Sequence, residues 1–307
     1  MNASLMNKPS IGIDLGGTKT ELIALDHDGG EQLRFRRDTP AHDYMATVKM
    51  MVEMVDEAEG KLSMRASVGI GTPGAISLKS GLMKNCNSTR LNGQMLKEDI
   101  EERLGREVRL SNDANCFALS AAVDGAAVGA ESVFGVILGT GVGGGIVVHG
   151  QVLNGVNSIA GEWGHNPLPS PFGSELSGRV CYCGRKGCIE TWLSGQGMAD
   201  DHLRAGGGLV SAEEIATGAE AGDPLCRFTL ERYCGRLARS LAGVINILDP
   251  DVIVLGGGLS NIRMLYDRVP KLWGDFVFSD EVRTRLLPPK HGDSSGVRGA
   301  AWLWRGE

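Results

Sequence analysis

Positive charge is not in excess in this chain of 307 residues, no long apolar run interrupts it, and its cysteines do not form an even set. With 31 basic against 37 acidic residues the net charge is -6, so no overall field gathers nucleic acid. The densest basic cluster, Arg34, Arg36 and Arg37, reads as a solvated strand end. Met1 to Pro9 is polar and lacks the apolar core of an export signal, so a cytoplasmic protein is expected. The longest uncharged run, Ser132 to Val148, carries six glycines, which is turn chemistry rather than a lipid-facing helix. Seven cysteines without an export signal argue against a disulfide framework. A Walker loop is missing too, because no Gly-Lys-Ser/Thr follows a suitable glycine spacing.

Glycine, by contrast, is plentiful. The 45 glycines are about twice average usage and show neither a collagen period nor a low-complexity tract, so their placement is informative. The length exceeds what a single core usually fills, and two lobes are expected. Two segments share a plan. Ile11 to Leu25 reads as strand, glycine turn and strand, with a second turn at Asp26 to Gly30, and Phe134 to Val148 repeats the hairpin. Overlaid, Gly12 meets Gly135, Leu15 meets Leu138 and Gly16 meets Gly139. Asp14 has only Ile137 opposite it, so a single copy carries a charge at its turn.

Elsewhere, helical spacing of Met50, Met51, Met54 and Val55 predicts a helix over Asp43 to Glu59 with its methionines in the core. Ala66 to Ile70 and Val108 to Leu110 read as strands that deliver polar residues at their ends. Helices are expected over Cys116 to Ala127 and Asp223 to Leu248, the latter capped by Asp223 with Pro224 at its first position. Val252 to Leu255 is a buried strand running into Gly256-Gly257-Gly258, and Gly296 to Trp304 a closing helix. Gly206 to Gly208 reads as a flexible surface turn.

The turn Asp14-x-Gly16-x-Thr18 has the makings of a polyphosphate site. Glycines let backbone N–H groups approach an anion, the threonine adds a hydroxyl, and the carboxylate can hold hydrated Mg²⁺. Gly139-Thr140-Gly141 supplies a second such turn across a cleft. Gly139, Gly141 and Gly144 also satisfy the dinucleotide fingerprint, but β-branched Ile146 to Val148 follows where that motif needs a helix. His165 with Cys181, Cys183 and Cys188 supplies one imidazole and three sulfurs, the set of a closed structural zinc site. Gly184 and Gly187 turn the chain back. Cys86, Cys116, Cys226 and Cys234 read as core thiols. Glu162 and Glu190, beside those ligands, suit a sugar's hydroxyls, and Asp113, between Asn112 and Asn115 at a strand end, is placed as a general base.

The runs Ile13-Asp14-Leu15-Gly16-Gly17-Thr18, Gly161-Glu162-Trp163-Gly164-His165 and Cys181 to Glu190 together resemble the ROK family of sugar kinases and repressors, over the chain from Ile11 to Gly296. The resemblance implies an α/β, two-lobed actin-like ATPase fold, a duplicated ribonuclease H-like architecture with ATP and sugar in a central cleft. It implies a lobe over 1–114 on which the C-terminal segment, 292–307, packs back, and a lobe over 115–291 with the zinc loop. By matching positions, Asp113 is the catalytic base; Gly74, Asn112, Asp113, Glu162, His165 and Glu190 bind sugar; His165, Cys181, Cys183 and Cys188 hold zinc. Asp14, Gly16, Gly17, Thr18, Lys19, Gly139, Thr140, Gly141, Gly256, Gly257 and Gly258 serve ATP, with Mg²⁺. Ala160 to Pro169, Asn87-Ser88-Thr89 and Leu91-Asn92-Gly93 resemble the family's bacterial fructokinases more than its N-acetylglucosamine kinases, while Arg90 departs from the aromatic usual there. The expected activity is phosphorylation of a hexose at O6, fructose first and N-acetylglucosamine, mannose or glucose as alternatives, with a non-catalytic sugar sensor as the competing class. Only ten residues precede Ile11, so the repressors' DNA-binding domain is not expected; a homodimer is common among similar proteins.

Overall fold

The computed structural model describes residues 8–40, 42–86 and 88–305. Asn87, the first seven residues and the last two of the closing segment lie outside the described residues. The N-terminal half runs β1 (Ser10–Leu15), β2 (Lys19–Leu25), β3 (Glu31–Asp38), α1 (Tyr44–Leu62), β4 (Ser67–Thr72), β5 (Ala75–Ile76), β6 (Met83–Lys84), α2 (Leu96–Leu104) and β7 (Arg109–Asn112). The chain continues through α3 (Asp113–Val123), β8 (Ser132–Leu138), β9 (Val142–Val148), β10 (Gln151–Val152), α4 (Glu190–Leu193), α5 (Gly195–Arg204), α6 (Ala212–Glu220), α7 (Pro224–Leu248), β11 (Val252–Gly256), α8 (Arg263–Leu272), β12 (Arg285–Leu287) and α9 (Ser295–Ala301).

Two five-stranded sheets result, ordered β3-β2-β1-β4-β7 and β10-β9-β8-β11-β12. Position by position they correspond. β1 lies antiparallel to β2 and parallel to β4, just as β8 lies antiparallel to β9 and parallel to β11. The repeat read in the hairpins therefore extends to whole sheets, and Gly12 and Gly135 occupy the same place in each.

Those two glycines are needed for packing. α3 and α9 lie in contact with each other between the sheets. A Cβ on Gly12 or Gly69, which face each other across β1 and β4, would overlap the backbone carbonyls of Val297 and Ala300 in α9. On the other sheet, a Cβ on Gly135 would come within 2.7 Å of the Ala118 Cβ, and one on Gly145 would overlap the Ala114 carbonyl, both in α3. Where the helices cross, a Cβ on Gly299 would overlap the carbonyl of Cys116. Ile23, Leu25, Phe117, Val133, Val254, Val297 and Trp302 complete this central apolar layer. Separate outer cores lie under α1 and α2, with Met50, Met51 and Met54, and around α7, with Tyr233, Leu237 and Leu241.

Capping sets the helix starts. The Asp43 side chain accepts from Ala46 N–H at 2.9 Å and that of Asp223 from Cys226 N–H at 2.8 Å. α3 begins three residues before the expected Cys116, because the Asn112 side-chain oxygen, Oδ1, accepts from Ala114 N–H at 2.9 Å. Asp113 is thus the first residue of a helix rather than the end of a strand.

Two surface readings change. Arg34, Arg36 and Arg37 lie within β3 instead of fraying at a strand end. Arg34 and Arg36 both hold the buried Glu21, Arg36 at 2.9 Å, and Arg37 reaches Glu57 at 2.6 Å. Gly207 is not a loose turn residue, because a side chain there would overlap the imidazole of His202. Beneath the cysteine-rich loop, Glu175 is gripped by Arg236 at 2.7 Å and Arg239 at 2.9 Å, and Asp201 by Arg236 at 2.9 Å and Arg232 at 2.6 Å. Each buried carboxylate has a partner, which removes the main cost of burying it.

Replacing Gly69 by Ala is expected to destabilise the chain by about 3 kcal/mol or more, since backbone must move. Gly243 in α7 has open space around it, so Gly243→Ala should stabilise by about 0.5–1 kcal/mol. Urea titration of both variants checks this, and equal effects would contradict the helix-on-sheet contact.

Candidate active site

The β1–β2 turn is braced from β3's end. Thr39 donates its hydroxyl to the Gly16 carbonyl at 3.1 Å and its N–H to the Thr18 carbonyl at 2.8 Å. Asp14, next to the last residue of β1, lines a cleft of about 300 Å³ together with Gly16, Gly17, Asp113, Gly257 and Asp293. Next to it, a cavity of about 910 Å³ is lined by Gly139, Thr140, Gln196, Glu213, Glu220 and Gly258, among others. The residues assigned to nucleotide thus divide: Asp14, Gly16, Gly17 and Gly257 face the smaller cleft, Gly139, Thr140 and Gly258 the larger cavity. Thr18 and Lys19 are exposed and line neither. Gly256 is buried, with room for a side chain denied by the Phe117 ring at 2.5 Å.

A third cavity, of about 220 Å³, takes polar groups from Thr72, Ser111, Asn112, Asn154, Ser158 and Glu162 and an apolar wall from Ile76, Leu110, Ile159 and Ala160, with Gly74 at its edge. The Asn112 amide donates to the Gly74 carbonyl at 3.2 Å, which fixes the end of β7 against the turn after β4. Glu162 is presented by a tight approach of the 161–163 segment to β9. Trp163 Nε1 donates to the Gly143 carbonyl at 3.0 Å, and a Cβ on Gly144 would stand 2.7 Å from the Gly161 carbonyl. The last glycine of the dinucleotide-like fingerprint therefore serves this contact, and the segment following it is β9, not a helix.

Asp113 lines the smaller cleft, beside the cavity that holds Asn112 and Glu162. Crowding by protein on the cleft floor raises its pKa and the charge of Glu162 adds to this, while Ala114 N–H, 2.8 Å from its carboxylate, pulls the other way. Asp14 is pushed up to about 7, first by burial and then by the charges of Asp113 and Glu21, against the opposing pull of Arg36. Two carboxylates facing one cleft without a cation repel each other, which is the environment a divalent ion relieves.

His165, Cys181, Cys183 and Cys188 converge, with all four donor atoms within 4.8 Å of one another. Cys183 and Cys188 sulfurs are 3.7 Å apart, and Cys181 Sγ is 3.6 Å from His165 Nδ1. A tetrahedral zinc with ordinary bond lengths separates two sulfurs by about 3.8 Å and sulfur from nitrogen by about 3.6 Å. The donor set fits that ion. His165 turns its other nitrogen to the Tyr182 hydroxyl at 3.1 Å. Glu190, the first residue of α4, does not line the sugar-sized cavity, and neither does His165. Instead, Glu190 accepts from Val142 N–H at 3.0 Å, and its other carboxylate oxygen lies 3.7 Å from Cys181 Sγ.

Two hairpin turns facing a cleft, with a carboxylate at a helix start between a polyphosphate-sized space and a polar pocket, define a phosphotransferase of two like halves. The ROK family model matches residues 10–307, and the chain belongs to the ROK family. It groups with that family's sugar kinases. An N-acetyl-D-glucosamine kinase of Photobacterium profundum is 39% identical over 296 residues, covering 95% of this chain and 98% of the relative. The ROK hexokinase of Thermus thermophilus superposes with a TM-score of 0.85 at 29% identity, covering 96% of this chain and 97% of that one. A ROK glucokinase from Streptomyces griseus, solved with glucose and AMPPNP, gives 0.76 at 26% identity, covering 96% and 98%. The fold is the two-lobed actin-like ATPase fold. No helix among the described residues is long and apolar enough to cross a membrane.

Several lining residues were not singled out by sequence, notably Asp293 in the smaller cleft and Asn154, Ser158 and Ile159 in the polar cavity beside it. They lie in irregular segments with no periodic or motif signal. For the larger cavity a signal existed: Ser211 and Glu214 form a capping box that starts α6 on its rim.

Asp14 binds a proton more readily in the folded chain than its ordinary value of 3.8 implies, so its contribution to stability falls as pH rises from about 4 through 7. The full effect is on the order of 4 kcal/mol above pH 8. In protein free of nucleotide and divalent ions, Asp14→Asn should raise the unfolding free energy at pH 8 by a few kcal/mol and change it little at pH 4. Urea titrations at both pH values check this; a gain of the same size at each would remove the charge argument.

Proposed function

We propose that this ROK protein transfers the γ-phosphoryl group of ATP to the 6-hydroxyl of a hexose, and that N-acetylglucosamine is the preferred sugar. The observation that carries the reading is the position of Asp113, on the cleft lined by both Asp14 and the first glycine turn and next to Asn112 and Glu162 of the polar cavity.

In this reading the sugar occupies the cavity of Asn112, Glu162 and Gly74, with ring hydroxyls on the polar groups. Ile76, Ile159 and Ala160 form an apolar wall that suits the methyl of an acetamido group. The relatives at 38–39% identity bear the name N-acetyl-D-glucosamine kinase, which favours that sugar over the fructose first expected. The adenosine lies in the larger cavity by Gly139, Thr140 and Gly258, with Glu213 and Glu220 as acceptors for its hydroxyls and amino group. The phosphates pass between the two turns toward Gly16, Gly17 and Gly257.

Asp113 accepts the proton from the attacking hydroxyl. Its raised pKa gives it more basicity than an ordinary aspartate has. Asp14 would hold the Mg²⁺ of the nucleotide, which supplies charge neutralisation for the polyphosphate. His165, Cys181, Cys183 and Cys188 would hold zinc as a brace, since four protein donors leave no open position.

Asp113→Asn should lower kcat by about 10³-fold while sugar binding survives. Coupled assays of the parent chain over N-acetylglucosamine, fructose, mannose and glucose should give the highest kcat/KM for the first. Sugar-independent ATP consumption, or none with any hexose, would favour the sensor class, and a preference for fructose would overturn the sugar assignment alone. Purified protein should carry one zinc per chain by atomic emission, and Cys183→Ser should lose most of it. A full metal complement in that variant would contradict the ligand set.

A further inference from the structure

Three carboxylates, Asp14, Asp113 and Asp293, line the smaller cleft, and among the described residues no basic side chain lines it. A polyphosphate entering such a space is repelled unless a cation comes with it. Asp14 sits at the buried floor, and among the described residues no group donates a hydrogen bond to its carboxylate. A buried carboxylate without a donor is the mark of a missing cation. Asp293 reaches the same cleft from another element. It lies exposed in the turn Gly292–Ser294, directly ahead of α9. That turn is anchored on both sides: His291 Nε2 is 3.0 Å from the Asp124 carbonyl, Ser295 donates its hydroxyl to the Gly292 carbonyl at 2.9 Å, and Arg34 donates to the Ser294 hydroxyl. Asp293 is thus presented to the cleft by a fixed backbone. Arg34 and Arg36 are both held by Glu21, and among the described residues Asp293 forms no ion pair.

We propose that Asp293 is a positioning residue for the nucleotide's divalent ion: with Asp14 it forms a pair of carboxylates, one from β1 and one from the segment entering α9, that holds the ion and its phosphates in this cleft. The three acids cannot share one task. Asp113 has to accept a proton, and a carboxylate committed to a cation is a weaker base, so the ion falls to the other two. Two carboxylates match the charge of one divalent ion and leave that of Asp113 for the proton. Mg²⁺ keeps several of its waters and is held by one or two carboxylates together with phosphate oxygens, which suits an exposed Asp293 acting through a bound water. This inference rests on the reading that the phosphates run toward Gly16, Gly17 and Gly257.

The test is calorimetric binding of the non-hydrolysable ATP analogue AMPPNP to the full chain, without sugar, in saturating Mg²⁺ and again in EDTA. In Mg²⁺, Asp293→Asn should weaken binding by about tenfold, the loss expected for a hydrogen bond to a charged acceptor. In EDTA the same variant should bind at least as tightly as the parent, because a negative charge has left a space that takes phosphates. Asp293→Glu, which keeps the carboxylate, should recover most of the loss in Mg²⁺. A purely structural role would weaken binding alike in both conditions, and that result overturns the proposal, as does affinity within twofold of the parent in Mg²⁺. Should Asp293→Asn fail to fold, crystals of the parent with Mn²⁺ and AMPPNP decide the matter. The anomalous peak of the metal should lie within one water of both Asp14 and Asp293; a peak beside Asp14 with Asp293 turned to solvent overturns the proposal. A parent chain that does not bind AMPPNP, or binds it equally with and without Mg²⁺, would instead overturn the reading of the cleft as a metal–nucleotide site.

Discussion

The close crossing of α3 over α9, at Gly299 against the Cys116 carbonyl, is the contact on which the rest of the molecule depends. Each helix covers the inner face of one sheet through a glycine pair, Gly12 and Gly69 for α9, Gly135 and Gly145 for α3. Helix axes this near to a strand exclude even a methyl group, so the two halves are joined by backbone contact as well as by side chains. Both helices begin at the cleft. α3 starts with Asp113 and α9 follows Asp293, while Gly296 lets α9 pass beside Asp14.

That arrangement concentrates acids. Asp14, Asp113 and Asp293 line one small cleft, Glu162 bears on Asp113 from the next cavity, and Glu21 lies behind them under Arg34 and Arg36. The raised pKa values of Asp14 and Asp113 come first from desolvation at the cleft floor, and this concentration of acids adds to it. A scaffold built for stability alone would not place them so; one that binds a nucleotide with its divalent ion gains from it. Arg34 also reaches the Ser294 hydroxyl, so the strand pair β2–β3 holds the residue after Asp293.

Glycine carried most of the sequence signal and also its main ambiguity. Read along the chain, Gly12 and Gly135 were matched marks of a repeat, and Gly139, Gly141 and Gly144 spelled a fingerprint. In space, Gly16, Gly17, Gly139, Gly257 and Gly258 face the cleft or cavity, Gly141 makes room for a carboxylate, and Gly144 admits the Gly161 carbonyl. Composition cannot separate these uses, because a glycine that admits a ligand and one that admits a helix look the same in sequence. The start of α3 was misplaced for a related reason. Asn112 and Asp113 both have a helix-capping side chain, and which becomes the cap depends on the Gly74 carbonyl that holds Asn112, 38 residues away.

Local chemistry alone determined the hairpins, the helix over Tyr44–Leu62, the cap at Asp223 and the four-donor cluster, because each is a contact between residues near in sequence or a ligand set of fixed composition. Family membership was equally legible, in the Asp-Leu-Gly-Gly-Thr turn and the Cys-x-Cys-Gly-x-x-Gly-Cys run. Tertiary structure decided which of the named residues share a cavity. It set Asn112 and Glu162 together, placed Asp113 and Asp14 in one cleft, and turned Glu190 toward Val142 and Cys181. Such juxtapositions depend on how two sheets and the helices between them meet. No local pattern encodes that distance, because it is fixed by the side chains that the glycines do not have.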